Sequence, residues 1–155
     1  MTDAAVTRRA LVISLGLGAF IPAQARKPEV LVEVWKDPSC GCCKDWITHL
    51  RDNGFAVKVT DTGNQAMRKK LGIAEQLGSC HTALVAGYAI EGHVPAREIR
   101  RLLAEKPEAI GLAVPGMRIG SPGMDGPAYG GRRDPYDVLL IPKAGNARTY
   151  ASYRG

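Results

Sequence analysis

Three of the chain's four cysteines lie within four consecutive positions, in the segment CGCC at residues 40–43. Before them, residues 30–35 (VLVEVW) form an apolar, β-branched run that predicts a buried strand. After them, apolar side chains recur at the spacing of an α-helix, at Cys43, Trp46, Ile47 and Leu50. The cysteines are therefore expected where a strand turns into a helix, with thiols at the helix N-terminus.

The rest of the pattern continues the alternation of strands and helices. Residues 55–60 (FAVKVT) predict a second strand, a short basic helix follows near residues 65–71, and residues 81–92 predict a hairpin that turns near Ala86-Gly87. A last helix begins near Pro95, a residue favoured at first helical positions. Two strands joined through a helix are expected to be parallel, and the hairpin adds an antiparallel pair. This order predicts an α/β fold with a thioredoxin-like mixed sheet flanked by helices.

The chain changes character after about its first 110 residues. The segment that follows is dense in glycine and proline, and the triplet Pro-Gly-Met occurs twice in it, ending at Met117 and Met124. This composition predicts a long ordered loop over residues 110–135, as a C-terminal extension of the domain. Residues 136–141 (YDVLLI) predict one more strand, and the tail beyond them carries no clear signal.

Residues 1–25 have the three parts of an export signal: a basic start at Arg8 and Arg9, an apolar segment at 10–21, and Ala-Gln-Ala at 23–25. The apolar segment is shorter than the ~20 residues that a spanning helix needs, so stable membrane insertion is not expected. Removal of the signal lowers the formal charge from +6 to +5, spread along the chain rather than in a nucleic-acid-binding stripe. We expect cleavage near Ala25, a periplasmic location, and a single domain over residues 26–155.

In an oxidising periplasm, four cysteines are first expected to form two disulfides, so a metal site has to be favoured by other features. Cys40 and Cys43 form a C-x-x-C pair at a helix N-terminus, which favours the thiolate needed for both disulfide exchange and metal binding. The presence of Cys42 favours a metal site over a disulfide-exchange enzyme. In such an enzyme a third thiol would form competing disulfides, whereas in a metal site crowded thiolates can bridge several Cu(I) ions. A single zinc ion is more usually held by two separated knuckles.

The fourth cysteine, Cys80, is followed directly by His81 and by a predicted strand. In a thioredoxin-like fold, the segment that enters this strand faces the C-x-x-C loop and normally carries a cis-proline that docks substrate. No proline occurs between Asp61 and Val94. A thiol and an imidazole at this position suit a metal site better than a disulfide exchanger.

The segments WKDPSCGCCKDW, SCHTALVAGYAIEGHVP and IGLAVPGMRIGSPGM resemble the CopG-type periplasmic copper-resistance proteins, a thioredoxin-like metal-binding family. The resemblance covers roughly residues 30–124. It implies a role in copper resistance and homeostasis and a polynuclear Cu(I) cluster, with copper redox activity as a further option. It also implies copper ions, a copper exporter or another periplasmic copper protein as partners. The implied metal ligands are Cys40, Cys42, Cys43 and Cys80.

Other side chains are weaker candidates for the site. His81 adjoins an implied ligand and is expected to touch the metal or to lie beside a ligand. His93, at a strand-to-helix junction, can instead bond backbone near the helix start, and the thioethers of Met117 and Met124 pack more often than they bind metal. His49 lies on a polar helix face and is expected to be solvated.

Two structural alternatives and two functional ones stay open. Cys43 can be read as a small buried hydrophobe on the helix face, and Cys80 can form a disulfide with one of the first three cysteines. The chain can be a thiol-disulfide oxidoreductase that uses Cys40 and Cys43, or a scaffold in which all four cysteines are bridged. Whether it is an enzyme is therefore open, and an enzymatic role would be that of a copper or thiol oxidoreductase.

The export signal generates the first prediction. Protein recovered from the periplasm should begin near Arg26, because the apolar segment is short and is followed by a small-residue cleavage site. Intact-mass measurement of the exported protein checks this, and a mass that retains residues 1–25 would contradict it.

Overall fold

The computed structural model describes residues 29–155, which form seven strands and three α-helices. The predicted export signal and its cleavage site lie outside these residues. The elements in chain order are β1 Val30–Lys36, α1 Gly41–Asp52, β2 Phe55–Thr60, α2 Gln65–Lys70, β3 His81–Val85, β4 Tyr88–Glu91, α3 Ala96–Glu105, β5 Ala109–Ala113, β6 Tyr136–Pro142 and β7 Arg148–Tyr153. Among the described residues, no helix is long and apolar enough to cross a bilayer.

The strands form one mixed sheet in the order β2-β1-β3-β4-β5-β6-β7. β1 and β2 are parallel, β3 runs antiparallel to both β1 and β4, and β4 and β5 are parallel. The predicted hairpin turns at Ala86 and Gly87, whose φ angles are 47° and 87°. The α/β class and the predicted order of elements from β1 to α3 are confirmed, and the thioredoxin-like assignment stays a prediction.

The predicted loop over residues 110–135 is wrong at its start, because β5 extends to Ala113 as an inner strand of the sheet. Gly111 pairs with Ala89 of β4, and a Cβ at Gly111 would lie 1.7 Å from the Ala89 carbonyl oxygen. The glycine is therefore required by a close backbone approach within the sheet rather than by a turn. The tail, which carried no clear signal, forms the edge strand β7.

The strand directions bring the predicted ligands to one end of the sheet. At this end β1, β2, β4, β5 and β7 finish and β3 and β6 begin. Cys40 follows β1, Cys80 immediately precedes β3, and His93 follows β4. We call this edge the site end of the sheet.

Helix α1 buries the apolar face that its periodicity predicts, with Cys43, Trp46, Ile47 and Leu50 inside. The indole Nε1 of Trp46 donates a 2.9 Å hydrogen bond to the carbonyl oxygen of Val94, which precedes α3. This bond satisfies the one polar atom of a fully buried indole and fixes α1 against the segment that carries His93.

His49 is half-buried rather than solvated, so its predicted exposure is wrong. Its Nε2 atom accepts a 3.1 Å hydrogen bond from the backbone N–H of Ala96, the first residue of α3. The imidazole thus satisfies one of the N–H groups that a helix start leaves unpaired. The polar face of α1 contacts a neighbouring helix here, which helical periodicity alone does not reveal.

Burial lowers the pKa of His49, although Asp125 and Asp52 oppose the shift. An imidazole that stays neutral in the fold contributes stability above the unfolded pKa of about 6.5, and this contribution is lost as the pH falls below that value. His81 and His93 have lowered pKa values for the same reason and share the trend. Metal-free protein is expected to lose free energy of unfolding between pH 7 and pH 5. We expect this loss to be smaller in His49→Gln, which keeps a hydrogen-bond acceptor but does not titrate. Urea denaturation gives the free energy of unfolding at both pH values. An equal difference between pH 7 and pH 5 in the variant and the parent protein would contradict the role of His49.

Candidate metal centre

The four cysteines converge at the site end, where their Sγ atoms all lie within 4.8 Å of one another. The Sγ atom of Cys42 lies 3.7 Å from that of Cys40 and 3.9 Å from that of Cys80. Cys40 and Cys43 are joined by a disulfide, and Cys42 and Cys80 are free thiols. The structure therefore assembles one sulfur cluster from two chain segments about 40 residues apart, and it does not form the alternative bridge to Cys80.

Three of these sulfurs occupy the start of α1. Cys40 is the N-cap residue, and Cys42 and Cys43 lie in the first helical turn, which contains no acidic side chain. The unpaired N–H groups and the positive end of the helix favour thiolate over thiol at such positions. The side chain of Cys43 is fully buried, as the hydrophobic reading expected, yet its sulfur belongs to the cluster.

Cys80 also belongs to a second group of ligand atoms, formed with His81 and His93. Its Sγ atom lies 3.1 Å from Nε2 of His93 and 3.4 Å from Nδ1 of His81. Because Cys80 is shared, four sulfurs and two imidazoles form one connected set of donors. His93 was the weaker candidate in the sequence, and only the directions of β3 and β4 place it beside Cys80.

The tautomer of His93 follows from its other nitrogen. Nδ1 lies 2.8 Å from the carbonyl oxygen of Pro122, and a carbonyl can only accept, so Nδ1 carries the proton. The Nε2 atom then presents its lone pair towards Cys80 and the sulfur cluster. A backbone carbonyl that orients an imidazole in this way is the usual support of a histidine ligand.

His81 is fully buried between two rings, with its centroid 4.2 Å from that of Trp46 and 4.9 Å from that of His93. Its Nε2 atom has no hydrogen-bond partner among the described residues. A buried polar atom without a partner costs about 1–3 kcal/mol, so an imidazole retained in such a place suggests an unmet ligand. Its other nitrogen, Nδ1, lies 3.4 Å from the Cys80 sulfur and is the atom placed to act as a ligand.

The pKa values of the two imidazoles and of the Cys80 thiol determine how these groups would bind a metal ion. Burial lowers the pKa of His93 and lowers that of His81 well below the ordinary value, with the neighbouring His93 as a further cause for His81. Both imidazoles are therefore neutral near pH 7, the form that binds metal. Burial raises the pKa of Cys80 to about 12, and the nearby Cys42 adds to the shift. A metal ion at Cys80 would consequently displace a proton, which makes binding sensitive to acid.

A buried polar network holds the segment that carries Cys80. The carboxylate of Glu91 accepts hydrogen bonds from the Ser79 backbone N–H (2.7 Å), the Arg68 Nε (2.9 Å) and the Thr82 hydroxyl (2.6 Å). Arg68 also donates a 2.6 Å bond to the Ser79 carbonyl oxygen. These residues were not predicted from the sequence, although a glutamate in an apolar strand was a usable signal.

The Gly/Pro-rich loop at residues 114–135 covers the site and contacts both segments that supply cysteines. Gly116 accepts from the Ser79 hydroxyl through its carbonyl and donates its N–H to the Gly78 carbonyl oxygen. Gly123 packs on α1, where an added Cβ would lie 2.7 Å from the Cys42 carbonyl oxygen. The predicted ordered loop is therefore a cover attached on both sides of the cluster.

The two methionines of this loop have different environments. Met124 is buried, and its Sδ atom accepts a 3.1 Å hydrogen bond from the hydroxyl of Tyr129, a residue that the sequence analysis did not single out. The side chain of Met117 is 58% exposed, which is unusual for a large apolar residue. Their roles as ligands stay predictions.

Comparison with known proteins identifies relatives of the fold and of the site. A family model described as a protein of unknown function, DUF411, matches residues 77–124. Two solved structures named copper resistance protein CopG, form 1 and form 2, are each 43% identical to this chain. The chain covers 99% of form 1 with a TM-score of 0.75 and 98% of form 2 with a TM-score of 0.74, and the matches span 82% and 81% of this chain. No curated protein sequence matches this chain significantly.

The close approach of Gly123 to α1 generates a prediction. Gly123 has a φ of +84°, and an added Cβ would meet the backbone of Cys42 and Trp46. Gly123→Ala should lower the free energy of unfolding of the metal-free protein by about 1–3 kcal/mol and should increase proteolysis in the loop. Urea denaturation and limited proteolysis measure the two effects.

Gly126→Ala is the matched control, because Gly126 lies in the same loop at a negative φ with nothing within 4 Å of an added Cβ. It should change stability by less than about 0.5 kcal/mol. Equal behaviour of the two variants would show that the loop is not anchored to α1.

Proposed function

Because the chain belongs to the family of the copper resistance protein CopG, we propose that it binds Cu(I) as a cysteine-bridged cluster and so contributes to copper resistance. The observation that carries the proposal is the connected set of four sulfurs and two imidazoles at the site end. In this proposal the thiolates of Cys40, Cys42, Cys43 and Cys80 hold the metal, and His81 and His93 complete the ligand set.

The chemistry of the donors favours copper over zinc. Thiolates are soft ligands that prefer and bridge Cu(I), and four cysteine sulfurs lie within 4.8 Å of one another, two as free thiols and two that become thiols once the Cys40–Cys43 disulfide is reduced. One tetrahedral zinc ion needs four donors, and six connected donors exceed that number. Sharing of the sulfurs between several Cu(I) ions uses the whole set, which supports a polynuclear site.

The chain's own residues would prepare the site for its metal. The start of α1 holds the sulfurs of Cys40, Cys42 and Cys43 close together, and reduction of the Cys40–Cys43 disulfide makes both of its sulfurs available. The Glu91 network holds the segment of Cys80, and the loop at residues 114–135 is attached to both segments that supply cysteines. Burial keeps the imidazoles neutral and their lone pairs available.

The proposal includes a periplasmic location and the transfer of copper to partner proteins. The export signal predicted at residues 1–25 supports a periplasmic site of action. In that compartment the protein would sequester Cu(I) and pass it to an exporter or to another copper protein.

Single replacement of a cluster cysteine tests the proposal. Cys42→Ser and Cys80→Ser should each reduce bound copper by more than one cysteine's share, because a bridging thiolate contacts more than one ion. Elemental analysis of protein loaded with Cu(I) under anaerobic, reducing conditions gives the stoichiometry, and competition with zinc should leave copper bound. Ser39→Ala, an exposed change next to Cys40, should retain full loading.

Cys40, Cys42, Cys43 and Cys80 are each replaced by serine in turn, and full copper loading in three of these four variants would contradict the cluster. Displacement of copper by zinc at comparable free concentrations would contradict the choice of metal. Absence of copper from fully reduced protein would reject both parts of the proposal.

A second candidate function rests on the Cys40–Cys43 disulfide, with the free thiol of Cys42 3.7 Å from Cys40. Such an arrangement suits a thiol-disulfide oxidoreductase, in which the reduced pair gives two electrons and two protons to a substrate disulfide. Disulfide reduction by metal-free protein separates the two functions. The second candidate would be favoured if the parent protein reduced disulfides but bound no copper, and if Cys40→Ser abolished the disulfide reduction.

A further inference from the structure

Two adjoining cavities lie at the site end of the sheet, on the side of β6 and β7, away from the cysteines. Their volumes are about 400 and 360 Å³, both are open to solvent, and they share Tyr136 and Arg154 as lining residues. The ring of Tyr136 stacks on that of Tyr153 with centroids 4.6 Å apart and planes 3° apart, which makes a rigid floor. We call the combined depression the arginine cleft, after Arg118, Arg133 and Arg154.

The charges of the arginine cleft are unbalanced. Within residues 29–155, the guanidinium groups of Arg118, Arg133 and Arg154 form no ion pair and no hydrogen bond with another side chain. The two carboxylates of the cleft already have local partners, since Asp134 pairs with Arg132 and Asp137 accepts a 2.6 Å bond from the Ser152 hydroxyl. The three exposed guanidinium groups therefore outnumber the carboxylate of Asp137, the one side-chain carboxylate of the cleft that has no basic partner among the described residues.

The position of the arginine cleft relates it to the metal centre. β6, which contributes Tyr136, lies two strands from β4 and three strands from β3, so about 10 Å of sheet edge separates the cleft from the strand before His93 and about 14 Å separates it from the strand after Cys80. Pro115 and Arg118 line the cleft, and Gly116 between them bonds to the segment at Gly78 and Ser79. One wall of the cleft is thus the same loop that covers the cysteines.

We propose that the arginine cleft docks an acidic segment of a partner protein, with the carboxylates of that segment paired to Arg118, Arg133 and Arg154. The planar guanidinium fork matches a carboxylate with two parallel hydrogen bonds, which gives orientation as well as attraction. Unpaired, exposed guanidiniums can form these bonds without first breaking an internal ion pair. The stacked tyrosines supply an apolar surface for the backbone of the bound segment.

The shape of the cleft favours a polypeptide over other anions. Sites for small ligands enclose most of the ligand surface, whereas these cavities are open and their arginines are exposed. An anionic membrane would be met best by a convex basic surface, but this surface is concave and also contains Asp134 and Asp137. An extended acidic segment can follow the depression and avoid both carboxylates.

Docking at this place would bring the partner beside the cover of the metal centre, and its use in copper exchange rests on the function proposed above. The docking itself needs no metal. Binding can therefore be measured separately from copper loading, and failure of either proposal leaves the other intact.

The test uses a fluorescein-labelled peptide of five Glu-Ser repeats and fluorescence anisotropy, with metal-free and copper-loaded protein. The variant carries Arg118→Gln, Arg133→Gln and Arg154→Gln, and we expect a loss of affinity of at least tenfold that disappears at high salt. The matched control carries Lys69→Gln, Lys70→Gln and Arg148→Gln, which removes three exposed charges elsewhere and should cost less than threefold. Thermal melts confirm that both variants are folded, and each single arginine variant is measured in case the triple variant is not.

The other outcomes overturn the proposal. Equal losses of peptide affinity in the variant and the control would mean that the peptide is attracted by the overall positive charge of the protein rather than by the cleft. Equal binding of a Gln-Ser repeat peptide would mean that carboxylates are not recognised. Cleft-dependent binding to vesicles containing phosphatidylglycerol, without binding of the acidic peptide, would assign the arginines to a membrane. Displacement of the peptide by inorganic phosphate at equal charge concentration would assign them to a free anion.

Discussion

The hydrogen bonds of the buried Glu91 carboxylate are the interactions on which the geometry of the sulfur cluster depends. The cluster draws three sulfurs from α1 and one from a separate segment, so its geometry holds only if that segment is fixed. Glu91 fixes it through Ser79 and Arg68, without exposure to solvent that would weaken the charges. Loss of one partner of a buried pair costs about 3–5 kcal/mol, because the other charge stays behind unpaired. Burial raises the pKa of Glu91, and the hydrogen bonds from Thr82 and Ser79 oppose that shift.

The sequence predicted the parts of the site that depend on local order. The strand before Cys40 and the helix after it follow from hydrophobic periodicity, and the crowding of the cysteines is visible in the chain itself. The contacts of His93 and His49 were not predictable in this way, because each is made with a residue at least 13 positions away. β5 was missed because composition cannot distinguish a glycine that allows close strand packing from a glycine that allows a turn.

The loop at residues 114–135 connects two surfaces that the sequence showed as one glycine- and proline-rich stretch. Its inner side bonds to His93 through Pro122 and packs Gly123 on α1, whereas its outer side contributes Arg118 to the cleft. Short, tight contacts on the inner side require glycine, and charged contacts on the outer side require long side chains. Both sides belong to one backbone segment that its own hydrogen bonds hold together, such as Gly120 N–H to the Met124 carbonyl oxygen and Met124 N–H to the Ser121 carbonyl oxygen.

The unpartnered nitrogen of His81 has a consequence for the lifetime of the protein in the cell. A fold that keeps a buried polar atom unsatisfied is locally frustrated, and a ligand that pairs with this atom relieves the frustration only in the folded state. Copper bound at the neighbouring cysteines, as proposed above, would likewise stabilise only the folded state, so the empty protein would open more often and be degraded faster than the loaded one. The steady-state amount of protein would then rise with copper supply even at a constant rate of synthesis, so the metal would regulate the abundance of its own binding protein.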